Sequence, residues 1–503
     1  MKKAMKKLMA ALLAVAMVCA MAIPAFADSS SSTGSAATTK YTITAPKNGH
    51  TYEIYQIFTG DYDPSNKTML TNIKWGKNGK GGAVGDAVDQ AILNELSGVV
   101  SYASDHDKLA VIEKYVTLTN PVETIVDGGS VEVVGGYYLI KDQDGSLSGS
   151  EPYTTYLVSV VGTVNISPKS NAVPEFKKKL KDTNDSTGDV SDWQDSADYD
   201  IGDDIPFRLQ GTVPEDYDSY KTYYYAFHDK EEAGLTFDSS SVKVFVGDEV
   251  NGTKIDASNY TVVTNPADGC TFEIVFDDLK NIPTVTANSI ITVTYKSRLN
   301  ENAVLGAQGN VNKAKLEYSN NPKGTGTGRT PWDNVIVFTY KVVVNKVDQN
   351  RQPLEGAEFT LTKKLKDGTE NVIPMKIDTS NKALFTLSGL DDGVYTLTET
   401  VTPAHYNTIS PITFTVNADH TITWEADPRN TVLTSLSGNT ASGEITFTHN
   451  ETDGSLTTDV VNNIGTTLPG TGGIGTTIFY VIGGGLMVAA AILLITKKRM
   501  ENR

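Results

Sequence analysis

Cysteine is nearly missing from this 503-residue chain, which has only Cys19 and Cys270. Cys19 lies in an apolar N-terminal run that reads as a leader, so one cysteine is left and no intrachain disulfide can form. An extracellular protein built of small β domains often needs staples, so other crosslinks have to be sought. Cys270 reads as a small buried side chain and not as a reactive thiol. Histidine is scarce too, with six scattered residues. The chain has no His-Glu-x-x-His, no Gly-x-Ser-x-Gly and no Walker loop. Nothing marks a glycosidase-type carboxylate pair. No metal, cofactor or turnover enzyme is expected. Positive charge is short: without the two ends, 35 basic side chains face 59 acidic ones, a net charge of −24. Such a surface repels nucleic acid and anionic membranes and keeps a secreted protein soluble.

What is present begins at the far end. Leu468-Pro469-Gly470-Thr471-Gly472 precedes an uncharged 22-residue run, Ile474–Ile495, and then Lys497-Lys498-Arg499. The run is long enough to cross a bilayer as a helix, and the basic cluster belongs on the cytoplasmic side. Pentapeptide, span and basic tail resemble the cell-wall sorting signal of Gram-positive surface proteins. That resemblance implies cleavage by a membrane sortase between Thr471 and Gly472. At the other end, Lys2, Lys3, Lys6 and Lys7 precede the apolar stretch Leu8–Ile23, and Ala25-Phe26-Ala27 offers small residues for cleavage. This is the pattern of a secretory signal peptide. Residues 28–471, 444 in all, leave room for about three domains.

Asp28–Thr39 is rich in Ser, Thr and Ala and reads as disordered. Tyr41–Thr44, Thr51–Phe58, Tyr137–Ile140 and Tyr156–Ile166 read as strands. Val84, Val88, Ile92 and Leu96 recur at helical spacing, and Leu109, Ile112 and Val116 suggest a second, shorter helix. Asp142-Gln143-Asp144-Gly145 opens like a calcium loop, but the further ligands are not at EF-hand spacing, so it reads as a turn. From Pro174 to about Trp332 short β runs alternate with turn residues, as in a sandwich. Gly324–Thr330 reads as a separator. A third β unit follows, with strands at Phe338–Val344, Glu358–Thr362, Val394–Thr398 and Ile412–Val416. The expected architecture is mainly β: tandem immunoglobulin-like or Cna-type sandwiches, the N-terminal domain carrying one or two short helices. The expected segments are 1–27 (signal peptide), 28–173, 174–334, 335–464 and 465–503 (sorting signal, transmembrane segment and tail).

Strand alternation then exposes the chemistry. In the third unit Val342, Val344 and Lys346 share a face. So do Tyr395, Leu397 and Glu399, and so do Val460 and Asn462. An inward lysine and an inward glutamate cost free energy unless paired. A neighbouring asparagine offers a covalent solution. Burial lowers the lysine pKa and raises the carboxyl pKa, so a neutral amine can attack the asparagine Cγ while the acid shuttles protons and ammonia leaves. The product is a Lys–Asn isopeptide bond.

Leu354-Glu355-Gly356-Ala357-Glu358-Phe359, Gly393–Thr400 and Pro403-Ala404-His405-Tyr406 resemble the Cna-B repeat domain of Gram-positive adhesins and pilins. Glu399 stands at that family's catalytic glutamate, and His405 replaces its usual glycine in a turn. The second unit resembles the isopeptide-forming middle domain of major pilins. Its opening strand, Phe176-Lys177-Lys178-Lys179-Leu180, turns Lys178 inward and Lys177 and Lys179 to solvent. Tyr225, Phe227 and Asp229 share a face, and the family places its acid at this aspartate. Gly309-Asn310-Val311-Asn312-Lys313-Ala314 carries the asparagine: Asn312 is chosen, and Asn310, of the same parity, stays an alternative.

Val164-Asn165-Ile166-Ser167-Pro168-Lys169-Ser170 resembles the pilin motif in part: Ser167 replaces its tyrosine and Ser170 its asparagine. The resemblance makes Lys169 the amine that accepts the threonine acyl group of the next subunit, with Lys177 and Lys179 as fallbacks. The whole implies a backbone subunit of a covalent, cell-wall-anchored fimbrium. Its partners would be pilus-specific and housekeeping sortases, further copies of the chain, peptidoglycan, and minor or tip pilins and host surface ligands, with no nucleic acid. The competing reading is a monomeric wall-anchored adhesin that uses the same domains as a stalk.

Overall fold

The computed structural model describes residues 39–62, 70–98, 105–147, 153–166, 173–322, 326–373, 375–424, 429–441, 443–465 and 474–501. Along them the chain is a succession of sheets with few helices, so it is mainly β as expected.

In residues 39–166 one sheet runs in the order Leu70–Trp75, Thr51–Tyr62, Gly136–Asp142, Thr155–Val160, with Glu123–Val126 added against Thr51–Tyr62. A second has Ser130–Val134, Lys40–Thr44 and Val164–Asn165. The central strands are apolar on both faces, so both faces are covered. Tyr52, Ile54, Tyr138 and Ile140 pack toward the small sheet. Tyr55, Ile57 and Leu139 pack on the other side, with Leu93, Leu96 and Ile112 of two helices. These helices are Gln90–Gly98 and Asp105–Glu113. Val84 does not belong to the first: it is exposed, in a loop held by the Gly85 N–H to Trp75 carbonyl bond. The helix opens instead where Asp89 Oδ1 accepts from the Ala91 N–H at 2.7 Å. Val116 also falls outside its helix and forms a bridge with Gly79. The expected strand Tyr156–Ile166 is two strands in two sheets, parted at residues 161–163. Asp144-Gly145 is a turn, with Gly145 at φ +80°.

The middle sandwich packs a sheet ordered Ser196–Asp198, Asp333–Phe338, Asn310–Ser319, Tyr225–Glu231, Phe272–Phe276, Thr261–Thr264 against a five-stranded one. The latter is Thr253–Lys254, Leu235–Val246, Ile290–Leu299, Asp204–Thr212, Phe176–Leu180. Their inner faces interdigitate through Phe207, Leu209, Tyr225, Phe227, Tyr295 and Leu316. Within the expected separator, Thr327–Arg329 is a strand paired with Asn310–Ser319. Asp333–Phe338 belongs to the middle sheet, so the expected strand Phe338–Val344 breaks at Thr339, and the change of sheet falls there and not at residue 334.

The third sandwich pairs two five-stranded sheets. In one, Tyr340–Asp348 lies between Leu384–Leu390 and Ser455–Asn462. In the other, Gly393–Val401 lies between Glu358–Lys364 and Ile412–His420. First strand and last strand are parallel neighbours, with Lys346 opposite Val460. A 28-residue helix, Ile474–Glu501, closes the chain. Its stretch Phe479–Lys498 has a mean hydropathy of 2.2, apolar and long enough to cross a membrane.

Candidate functional site

The third sandwich holds the simpler constellation. Val342, Val344 and Lys346 all turn inward, and Lys346 is fully buried. The Lys346 ammonium donates to Asn462 Oδ1 at 2.5 Å and to the Val460 carbonyl at 3.0 Å. Asn462 Nδ2 donates to Glu399 Oε1 at 2.8 Å and Oε2 at 3.1 Å. Glu399 reaches in from the facing sheet, 3.9 Å from Lys346 Nζ. Its Oε2 also accepts from Thr402 Oγ1 and the Ile409 N–H, which fixes the carboxylate. Burial pushes the Lys346 amine down to about 8, against the opposing pull of Glu399. The minority of neutral amine, about a tenth at pH 7 for such a shift, stands one hydrogen-bond length from an amide and is the starting state for attack on Cγ.

The middle sandwich holds the second constellation across its two sheets. Lys178, Asp229 and Asn312 are fully buried. Lys178 Nζ donates to Asp229 Oδ2 at 2.5 Å and to the Tyr295 hydroxyl at 2.7 Å. Tyr295 donates to Asp229 Oδ2 at 2.8 Å and accepts from Asn312 Nδ2 at 2.9 Å. The hydroxyl thus uses its one donor and both acceptor positions. Burial pushes the lysine down and the aspartate up, so both shift toward the neutral pair that attack requires. Asn310 is buried as well but is engaged elsewhere: it bonds the Val304 backbone in both directions and the Val337 carbonyl. Asn312 is not on the last strand of its sheet, since Asp333–Phe338 follows it.

Three participants were not read from the sequence. Tyr295 lies on Ile290–Leu299, one of many buried aromatics. Glu231 follows Asp229 on the same face and is the register partner of Asn312. Lys363 is a third fully buried lysine, placed where the middle and third sandwiches meet. It pairs with Asp391 and, at 2.8 Å, with Asp200 Oδ2. Burial pulls its pKa down, but Asp391 and Asp200 outweigh this and hold the ammonium charged. Lys363 meets carboxylates and no amide, so its arrangement is that of an ion pair. Among the residues between 39 and 166 whose side chains are described, no lysine is buried.

Lys177 is exposed, as expected, but Lys179 does not point freely to solvent: its ammonium pairs with Asp195. Burial and the Asp268 contact push the Cys270 thiol up to about 12, consistent with an inert side chain. Lys169 and the pentapeptide Leu468–Gly472 lie outside the described residues.

Residues 201–322 match the family model of a Gram-positive pilin backbone subunit, a Cna-B-like domain. Residues 340–430 match a prealbumin-like fold domain, and residues 460–502 match the LPXTG cell wall anchor motif. The chain carries a Gram-positive pilin-backbone domain, a prealbumin-like domain and a cell-wall anchor motif. Over 308 residues it is 28% identical to the trypsin-resistant surface T6 protein of Streptococcus pyogenes serotype M6, covering 54% of this chain and 53% of that protein. The match therefore spans about half the length of the relative. Among solved structures, the T6 backbone pilin of the same organism aligns at a TM-score of 0.48 and 17% identity, over 85% of this chain and 98% of that one. The full-length major pilin SpaD from Corynebacterium diphtheriae aligns at 0.47 and 17% over the same shares.

Proposed function

We propose that this chain is the repeating subunit of a covalent cell-surface fibre, stiffened by two Lys–Asn isopeptide bonds. The observation that carries the reading is the pair of buried lysine–acid–asparagine constellations upstream of a cell-wall anchor. In each, Lys178 or Lys346 supplies the amine, Asn312 or Asn462 the carbonyl carbon, and Asp229 or Glu399 the proton carrier. Each bond would release one ammonia. Tension entering at one strand would then leave through another without shearing the sheet.

Assembly would use the C-terminal sorting signal and the connector after the first domain. A pilus-specific sortase cleaves between Thr471 and Gly472 and holds the threonine acyl group as a thioester. Lys169 of a second copy resolves it. Repetition gives a head-to-tail contact that does not close on itself, as a filament requires. A housekeeping sortase would join the last subunit to peptidoglycan. The acidic surface and the membrane helix fit a precursor held briefly in the plasma membrane and then moved to the wall.

Gel electrophoresis of wall extracts in denaturing detergent tests this. A ladder of high-mass species is expected from the native chain, and Lys169→Ala should collapse it to single copies. An unchanged ladder would remove Lys169 from the account. Single copies from the native chain would favour an adhesin stalk instead.

A further inference from the structure

We propose that in the middle sandwich the proton work is divided between two carboxylates: Asp229 frees the Lys178 amine, and Glu231 is a second catalytic acid that protonates the departing nitrogen of Asn312. The proposal rests on the isopeptide reading above and adds a residue to it.

The two constellations differ in one respect. In the third sandwich a single acid serves both partners, since Glu399 grips Asn462 Nδ2 and also approaches Lys346 Nζ. In the middle sandwich Asp229 Oδ2 is taken by Lys178 Nζ and the Tyr295 hydroxyl. The leaving nitrogen, Asn312 Nδ2, is met instead by Glu231 Oε1 at 3.4 Å and by Tyr295. Backbone register enforces this: Glu231 and Asn312 are directly opposite on neighbouring antiparallel strands, so their side chains share a face. The Ser297 hydroxyl donates to Glu231 Oε1 and fixes the carboxyl. Glu231 Oε2 is enclosed without a hydrogen-bond partner, so no donor stabilises the charged carboxylate at that oxygen. Burial, reinforced by the charge of Asp229, pushes this carboxyl up to about 8, so it is protonated at neutral pH.

The step balances. Asp229 takes one proton from the Lys178 ammonium. The freed electron pair forms the Nζ–Cγ bond to Asn312. Cγ–Nδ2 breaks as Glu231 gives its proton to Nδ2, and ammonia leaves. The surplus Nζ proton returns to the carboxylate pair. Amine and amide have become a new amide and ammonia.

The test is peptide mapping by mass spectrometry of the full exported chain, scoring joined peptides at both constellations. Native protein should show Lys178 joined to Asn312 and Lys346 joined to Asn462. Glu231→Gln should lower the joined fraction at Lys178 at least tenfold at a fixed time after expression. The Lys346–Asn462 bond should stay complete, which shows that the third sandwich has folded and that the loss is confined to the middle one. Glu231→Asp, which keeps a carboxyl, should recover joined product on longer incubation. Full joining in Glu231→Gln, or equal joining in the Gln and Asp variants, would overturn the second-acid role. An unjoined Lys178 in native protein would instead overturn the isopeptide reading beneath it.

Discussion

Lys346 Nζ lies 2.5 Å from Asn462 Oδ1, and the two residues come from parallel neighbouring strands at opposite ends of the third sandwich's sequence. The geometry presents a buried amine to an amide carbonyl, while Glu399 holds the amide nitrogen from the other side. A bond here would close a loop between positions 116 residues apart. By analogy with disulfide loops, that closure is worth about 5 kcal/mol. Glu399→Ala should therefore keep its ammonia and unfold on the order of 15 °C lower. Differential scanning calorimetry together with peptide mapping checks both halves of the statement.

The two candidate asparagines of the middle sandwich separate by mutation. Asn312→Ala should abolish joining at Lys178, because it removes the carbon under attack. Asn310→Ala should leave joining intact and destabilise the fold by about 1–3 kcal/mol, since the buried Val337 carbonyl and the Val304 backbone lose their side-chain partner. Urea unfolding gives the second quantity, and peptide mapping the first.

The joint between the middle and third sandwiches should respond to pH. Burial, with the nearby charge of Asp200, pushes Asp203 from the ordinary carboxyl range up to about 7. A carboxyl raised on folding binds its proton more tightly in the native state. Its contribution is full below about pH 4 and is lost as pH rises through about 7. Thermal unfolding of the native chain should thus move down between pH 4 and pH 7.5, and Asp203→Asn should flatten that slope. A slope unchanged in the variant would refute the assignment to Asp203.

His405 adopts φ +77°, a region that favours glycine. The resemblance to Cna-B repeats implied a glycine at this turn, and the backbone conformation gives the physical reason. His405→Gly should relieve local strain and stabilise the third sandwich by up to about 1 kcal/mol, the gain reduced by the extra freedom of glycine in the unfolded chain. Chemical denaturation of the pair of proteins measures this.

Alternation made Lys178, Lys346, Glu399 and Asn462 legible in the sequence, because each sits among apolar neighbours two residues away. The same rule gave the two asparagines of the middle sandwich equal parity, and only their contacts part them. Glu231 was hidden because it stands in the charged run Asp229-Lys230-Glu231-Glu232, with no large apolar neighbour two residues away to mark it as inward, although the strand runs on to it. Lys363 was hidden beside Lys364 and Lys366. Its acid partners come from Asp200 and Asp391, distant positions that local pattern cannot bring together. The break at Thr339 was missed for a related reason: apolar residues run through it, and only the choice of sheet changes.

Intact mass of the purified exported chain tests the central claim most directly. Each Lys–Asn bond removes one ammonia, about 17 Da by the stoichiometry of amide exchange. Two such losses are predicted, one from each sandwich. A mass equal to that of the unmodified residues would contradict the account.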